Sequence, residues 1–192
     1  MDSSRGHIEL IIGPMFSGKS TELMRRIKRH MIAKRDCIVV KYFKDKRYSE
    51  GDMATHDRQL LKASSTETLD TIYESLLTHD VIGIDEGQFF PDVSNAVSDS
   101  QVVEVSDKLA EKGKVVIISA LDGTFQKKPF GRILELIPLC EQVNKLTAVC
   151  VGCGKDASFS QRLTCEKTVE LIGGADLYRP VCRTCFAAGL QG

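Results

Sequence analysis

The chain has 192 residues and a mass of 21.2 kDa, a length that suits one main domain with a small appendage. Its 26 Lys/Arg balance 26 Asp/Glu and 42% of its residues are apolar, which excludes disorder, a collagen-like chain and a wholesale polyanion binder. No apolar run approaches the ~18 residues of a membrane span, and Met1–Gly6 lacks the charged-then-apolar order of a secretory signal, so a soluble cytoplasmic protein is expected.

In chain order, Ile8–Ile12 reads as a short buried strand ended by Gly13-Pro14, and a helical run from about Lys19 to Ala33 follows at once. Met1–Arg47 holds 12 Lys/Arg against five Asp/Glu, net +7, largely in Arg25, Arg26, Lys28, Arg29, Lys34 and Arg35. A solvated helix face explains this better than a nucleic-acid patch, and the field also favours a polyphosphate ligand. Cys37–Tyr42 is a second strand, Ser49–Asp57 an exposed loop and Thr66–Leu77 a helix. Val81–Ile84 is a strand running into Asp85-Glu86, Asn95–Gln101 a Ser/Asp-rich loop insertion, Val103–Lys112 a helix and Val115–Ser119 a strand. Strands that are apolar on both faces and alternate with helices imply an α/β fold with a parallel sheet. From Cys150 the character changes, so the chain divides into a nucleotide-binding domain over 1–149 and a small second domain over 150–192.

Gly13-Pro14-Met15-Phe16-Ser17-Gly18-Lys19-Ser20 satisfies G-x-x-x-x-G-K-[ST] between a strand and a helix start. That context lets main-chain N–H groups cradle phosphates, Lys19 neutralise β/γ oxygens and the Ser20 hydroxyl meet Mg²⁺. Asp85, at a strand's carboxyl end, suits the second nucleotide motif that holds hydrated Mg²⁺. The adjacent Glu86 is the candidate base, because a loose phosphoryl-transfer transition state tolerates late proton transfer to a carboxylate.

The seven cysteines, an odd number with four in two C-x-x-C pairs, fit reduced thiols and a metal better than a disulfide framework. Cys150, Cys153, Cys182 and Cys185 form a thiolate set suited to structural Zn²⁺, with no position left for substrate. The 28 residues between the pairs become a loop pinned at both ends. Its Gly173-Gly174 would let the backbone approach a ligand closely. Cys37, Cys140 and Cys165 are expected to pack, and His7, His30, His56 and His79 to lie at the surface. From residue chemistry, Val169–Tyr178 reads equally as a base-binding slot or as an ordinary hairpin.

Taken together, these segments resemble the cellular and bacterial-type (type II) thymidine kinases, whose RecA-like phosphate-loop domain carries a zinc-held lasso. The resemblance runs from about Gly6 to Phe186. It is carried by residues 13–23, Asp45-Lys46-Arg47-Tyr48, Thr55-His56-Asp57, Ile84–Phe90, Ala120–Phe125, the four cysteines and Ile172–Tyr178. It implies transfer of the ATP γ-phosphate to the 5′-hydroxyl of thymidine, with deoxyuridine as a second acceptor. It further implies Glu86 as base, Asp85 as Mg²⁺ partner, and Asp45, Lys46, Arg47, Gly87 and Gln88 in the phosphate and nucleotide site. Phe125, Met15, Leu121, Phe89 and Phe130 would line the thymidine pocket. The main chain of Val169, Glu170, Leu171, Ile172 and Gly173 would read the pyrimidine edge, and Tyr178 would pack on the nucleoside. A homotetramer and feedback inhibition by thymidine triphosphate are also implied, with no nucleic-acid or membrane partner.

Three departures stand out. Asn95–Gln101 is longer than its counterpart, Ser160 replaces a frequent Thr near the base, and the chain ends seven residues after Cys185, short of the regulatory tail of vertebrate members. Two other functions compete. A nucleoside-monophosphate kinase with a zinc lid would need additional Arg contacts, but 169–178 contains no Arg. A zinc-ribbon nucleic-acid-binding ATPase would need a basic zinc region, but Cys150–Cys185 is only net +1.

Overall fold

The computed structural model describes residues 6–43, 52–54, 60–90, 101–166, 168–169 and 171–189. Its centre is a parallel six-stranded sheet ordered β5-β2-β6-β7-β1-β8. The strands are β1 (His7–Gly13), β2 (Cys37–Tyr42), β5 (Ser64–Thr66), β6 (Val81–Asp85), β7 (Val115–Leu121) and β8 (Gln142–Lys145). Every residue of β6 and β7 is buried, as the uninterrupted apolar runs predict for strands covered on both faces.

Alternation along the strands feeds two cores. Leu10, Ile84, Val116 and Ile118 point to one face, where Val102, Val105 and Leu109 of α3 (Gln101–Glu111) cover them. Ile11, Val39, Val115 and Ile117 point to the other face, against Leu23, Met24 and Ile27 of α1 (Lys19–Ile32). Each such side chain contributes about 1.5–3 kcal/mol by leaving water, so the helices lock the central strand order.

α1 also corrects the reading of its basic face. Arg26 is buried and joins Glu9 at 2.5 Å, Glu22 at 2.8 Å and Asn144 at 2.9 Å, so this arginine ties α1 to the sheet. Thr66–Leu77 is not one helix. Thr66 ends β5, a 3₁₀ turn covers Asp70–Ile72 and the helix α2 is only Tyr73–Leu76, since Leu69 and Leu76 bury while few other positions keep a helical period. The expected loop over Ser49–Asp57 contains a strand, β3 (Asp52–Ala54), antiparallel to β4 (Leu60–Lys62). Ser49–Gly51 and Thr55–Asp57 lie outside the described residues, as do 95–100 of the expected insertion, while Gln101 already opens α3.

Beyond β8 the chain forms two small antiparallel pairs. One joins β9 (Ala148–Val149) to β10 (Asp156–Ala157), and the other β11 (Phe159–Arg162) to β12 (Tyr178–Val181), followed by the short helix α4 (Arg183–Ala187). Val169–Tyr178 is no hairpin. Leu171–Gly174 is irregular and Tyr178 pairs with Arg162. Among the described residues, no helix is long and apolar enough to cross a membrane.

Candidate active site

Ligands of open parallel sheets sit beyond the carboxyl ends of the strands, and here β1, β6 and β7 end together. β1 ends at Gly13, where a Cβ would meet the Leu146 carbonyl oxygen at 2.5 Å, so only glycine fits that turn. Gly18, at φ 81°, occupies the N-cap of α1 without a side-chain cap, which leaves first-turn N–H groups directed at a ligand. Inside the loop, Lys19 Nζ donates to the Pro14 carbonyl at 2.8 Å, and Ser17 Oγ donates to the same oxygen at 2.8 Å.

Asp85 closes β6 and is 8% exposed. It accepts from Ser20 Oγ at 3.0 and 3.1 Å, and from the buried Ser119 Oγ of β7. A phosphate-loop hydroxyl and a strand-end carboxylate therefore converge as one oxygen donor set, which suits a hard divalent cation.

Glu86 adopts the left-handed region at φ 54°, ψ 44°, a conformation costing a non-glycine residue about 1 kcal/mol. A 3₁₀ turn over Gly87–Phe89 follows and supports it. The Phe89 N–H bonds the Glu86 carbonyl at 3.0 Å, and Gln88 Nε2 donates to Glu86 Oε2 at 2.6 Å. Gln88 Oε1 in turn accepts from the Leu121 N–H at 2.9 Å, so one amide bridges the carboxylate to the end of β7. Gly87 packs on Ile118, which a Cβ would meet at 2.9 Å.

Beside these groups lies an apolar cavity. Met15 and Leu121 come from the ends of β1 and β7, and Phe89 and Phe130 meet edge to face with centroids 5.7 Å apart. Phe125, Ser160, Val169, Leu171, Ile172, Gly173 and Tyr178 complete the wall with Gly123, Thr124 and Arg162. Ser160 Oγ accepts from the Met15 N–H at 2.9 Å, so β11 is tied to the loop after β1. Phe16, at φ 66°, packs between this cavity's cluster and the cysteine-bearing segment.

Cys150, Cys153, Cys182 and Cys185 place their sulfurs within 4.8 Å of one another, with Cys153 and Cys182 3.7 Å apart. A zinc tetrahedron with ~2.3 Å bonds has edges of about 3.8 Å, so the set fits that ion. Hydrogen bonding by the Cys182 backbone leads in pulling the Cys150 thiol down to about 6, whereas the Cys182 side chain leads in pushing Cys185 up to about 12. The Cys182 thiol is lowered too, chiefly by the Cys185 backbone, so the cluster favours thiolate at Cys150 and Cys182.

Asp45, Lys46, Arg47 and Glu170 lie outside the described residues, as does His56. The space beside Gly173 is filled by Leu177, which a Cβ would meet at 2.3 Å, and neither Gly173 nor Gly174 is left-handed. The Gly173 backbone itself lines the cavity. Cys140 packs in the core, where burial pushes its thiol up to about 12, but Cys165 is exposed and has no packing role. His7 and His79 are half-buried beside Glu9 at 3.2 Å and Asp36 at 2.9 Å, and His30 is half-buried as well, so none of the three lies free at the surface. Sequence reasoning passed over Ser119 and Arg162. Arg162 carried a signal, standing two residues from Ser160 on one strand and hence on the same face.

A family model described as Thymidine kinase matches residues 6–186. A protein named thymidine kinase from Variola virus is 54% identical over 181 residues, covering 94% of this chain and 97% of the viral protein. The thymidine kinase of Vaccinia virus strain Copenhagen gives the same figures. The protein named cytosolic thymidine kinase from Gallus gallus is 53% identical over 182 residues, covering 95% of this chain and 77% of its own.

Proposed function

The chain belongs to the thymidine kinase family, and from that membership we propose how its residues divide the transfer of the ATP γ-phosphate to the 5′-hydroxyl of thymidine. Deoxyuridine, which lacks only the pyrimidine methyl, is the second acceptor. The observation that carries the assignment is the meeting of three parts beyond the carboxyl ends of the central strands: the phosphate loop with Ser20 and Asp85, the carboxylate of Glu86, and an aromatic cavity lined by Val169, Leu171, Ile172, Gly173 and Tyr178.

Main-chain N–H groups from Phe16 to Ser20 receive the β- and γ-phosphates, and Lys19 exchanges the Pro14 carbonyl for phosphate oxygens. Asp45, Lys46, Arg47 and Gly87 complete the nucleotide site. Ser20 and Asp85 would hold Mg²⁺, which when bound neutralises charge on the β- and γ-oxygens. Thymidine lies among Met15, Phe89, Leu121, Phe125, Phe130 and Ser160, with its pyrimidine edge on the main chain of Val169–Gly173, including Glu170. The 5′-oxygen attacks the γ-phosphorus, the bond to the β–γ bridging oxygen breaks, and ADP leaves with that oxygen. Glu86 accepts the hydroxyl proton late, oriented by Gln88.

Phe125→Ala tests the cavity. It removes a ring from the nucleoside wall and is expected to raise the thymidine KM about tenfold or more while leaving the ATP KM within about twofold. An unchanged thymidine KM in the folded variant would place the nucleoside elsewhere.

The four thiolates at 150, 153, 182 and 185 bind one Zn²⁺ per chain in this reading, and the segment from Cys150 acts as the acceptor-binding module of a cytoplasmic homotetramer. Cys153→Ser is expected to lower zinc content and raise the thymidine KM before it affects ATP binding, because the zinc site pins β12 and, through it, Tyr178. Elemental analysis beside both KM values checks this. Full activity in zinc-free protein with four free thiols would contradict it.

A further inference from the structure

One cation in the cavity wall has no part in the phosphate chemistry. Arg162 of β11 is 9% exposed, and its guanidinium carbon lies 3.9 Å from the Phe125 ring centroid and 5.1 Å from that of Tyr178. Its terminal nitrogens donate to the carbonyls of Glu166 at 3.0 Å, Thr168, and Val169 at 3.1 Å, and to the Tyr178 hydroxyl. That hydroxyl donates onward to the Leu171 carbonyl at 2.8 Å. All of these acceptors are neutral, and Arg162 Nε is buried without an acceptor. Burying a guanidinium on such terms is expensive, and a well-packed apolar residue would avoid the cost.

What the charge achieves is control of peptide orientation. A trans peptide points its C=O and N–H in opposite directions, and the described chain has no cis bond. Holding the Thr168 carbonyl therefore fixes the Val169 N–H, and holding the Leu171 carbonyl through Tyr178 fixes the Ile172 N–H. Both residues line the cavity, and the described residues of their segment form no regular strand or helix to hold them otherwise. The same guanidinium lies over the ring of Phe125, which also lines the cavity.

We propose that Arg162 is the positioning residue for thymidine, acting by fixing the Thr168–Val169 and Leu171–Ile172 peptide planes and the Phe125 ring against which the pyrimidine is read. The inference rests on the reading that thymidine occupies this cavity. A planar fork is needed for the task, since several carbonyls must be engaged while a flat face stacks on a ring, and an ammonium offers neither.

The test compares Arg162→Met, Arg162→Lys and Phe125→Ala in the full chain, measuring thymidine and ATP KM, zinc content and melting temperature. Arg162→Met is expected to raise the thymidine KM about tenfold to a hundredfold, at an ATP KM within about twofold and full zinc content. Arg162→Lys should recover only part of the loss. An unchanged thymidine KM in Arg162→Met, beside a raised one in Phe125→Ala, would overturn the role of Arg162 and leave the cavity assignment intact. Unchanged values in both would overturn the cavity assignment and this role with it. Parallel rises in both KM values with zinc loss would make Arg162 a general stabiliser and also overturn it. Should Arg162→Met fail to fold, Tyr178→Phe carries the test, because it keeps the ring and removes the hydroxyl between Arg162 and Leu171. A severalfold rise in thymidine KM alone is expected there, and no change would overturn the proposal.

Discussion

Glu86→Gln is expected to bind ATP and thymidine nearly as the parent does and to lose about 10²–10⁴-fold in turnover, the usual worth of general-base catalysis. The substitution keeps side-chain volume and the capacity to accept a hydrogen bond from Gln88 Nε2, now 2.6 Å from Glu86 Oε2, but removes the proton acceptor. The left-handed backbone at Glu86 is unaffected by the change of one oxygen to nitrogen, so a folding defect is not expected. Single-turnover phosphoryl transfer separates chemistry from product release. A rate near that of the parent would remove Glu86 from the reaction and return attention to a base elsewhere.

Lys19→Ala carries the second large effect. Lys19 is buried, 7% exposed, with its ammonium on the Pro14 carbonyl, a contact that costs little to exchange for a phosphate oxygen carrying full charge. Deleting it removes a fixed positive charge from the place where negative charge shifts during transfer. A loss of about 10²–10³-fold in turnover follows by analogy with other preorganised electrostatic donors. Thymidine binding measured without ATP should stay within about twofold, because the cavity wall contains no atom of Lys19. Equal losses in both measurements would indicate a misfolded loop.

The parts of this architecture that could be read from the residues were those with a strong local constraint. Gly13–Ser20 announced itself because a strand, a glycine that admits no Cβ and a helix start must coincide there. β6 and β7 were legible because five and seven consecutive buried residues leave no polar face, and the four cysteines because thiolate geometry demands two close pairs. Thr66–Leu77 misled because its apolar residues bury from a 3₁₀ turn and a single helical turn. β8 was missed because QVNK carries little apolar signal and owes its place to pairing with β1. The two-residue period from Ser160 put Arg162 on the cavity face, but its role was not legible, since its partners are backbone carbonyls of an irregular segment and such acceptors leave no trace in residue identity.

The proposed division of labour is tested most directly by an acceptor panel with ATP and Mg²⁺, following product by mass. Thymidine should yield thymidine monophosphate, deoxyuridine should react as well, and deoxycytidine and thymidine monophosphate should remain unphosphorylated. A cavity closed by main-chain groups and aromatic rings, with its arginine already bonded to carbonyls, offers a second phosphate no cationic seat. Phosphorylation of thymidine monophosphate in preference to thymidine, or ATP hydrolysis stimulated by DNA with no nucleotide product, would contradict the account.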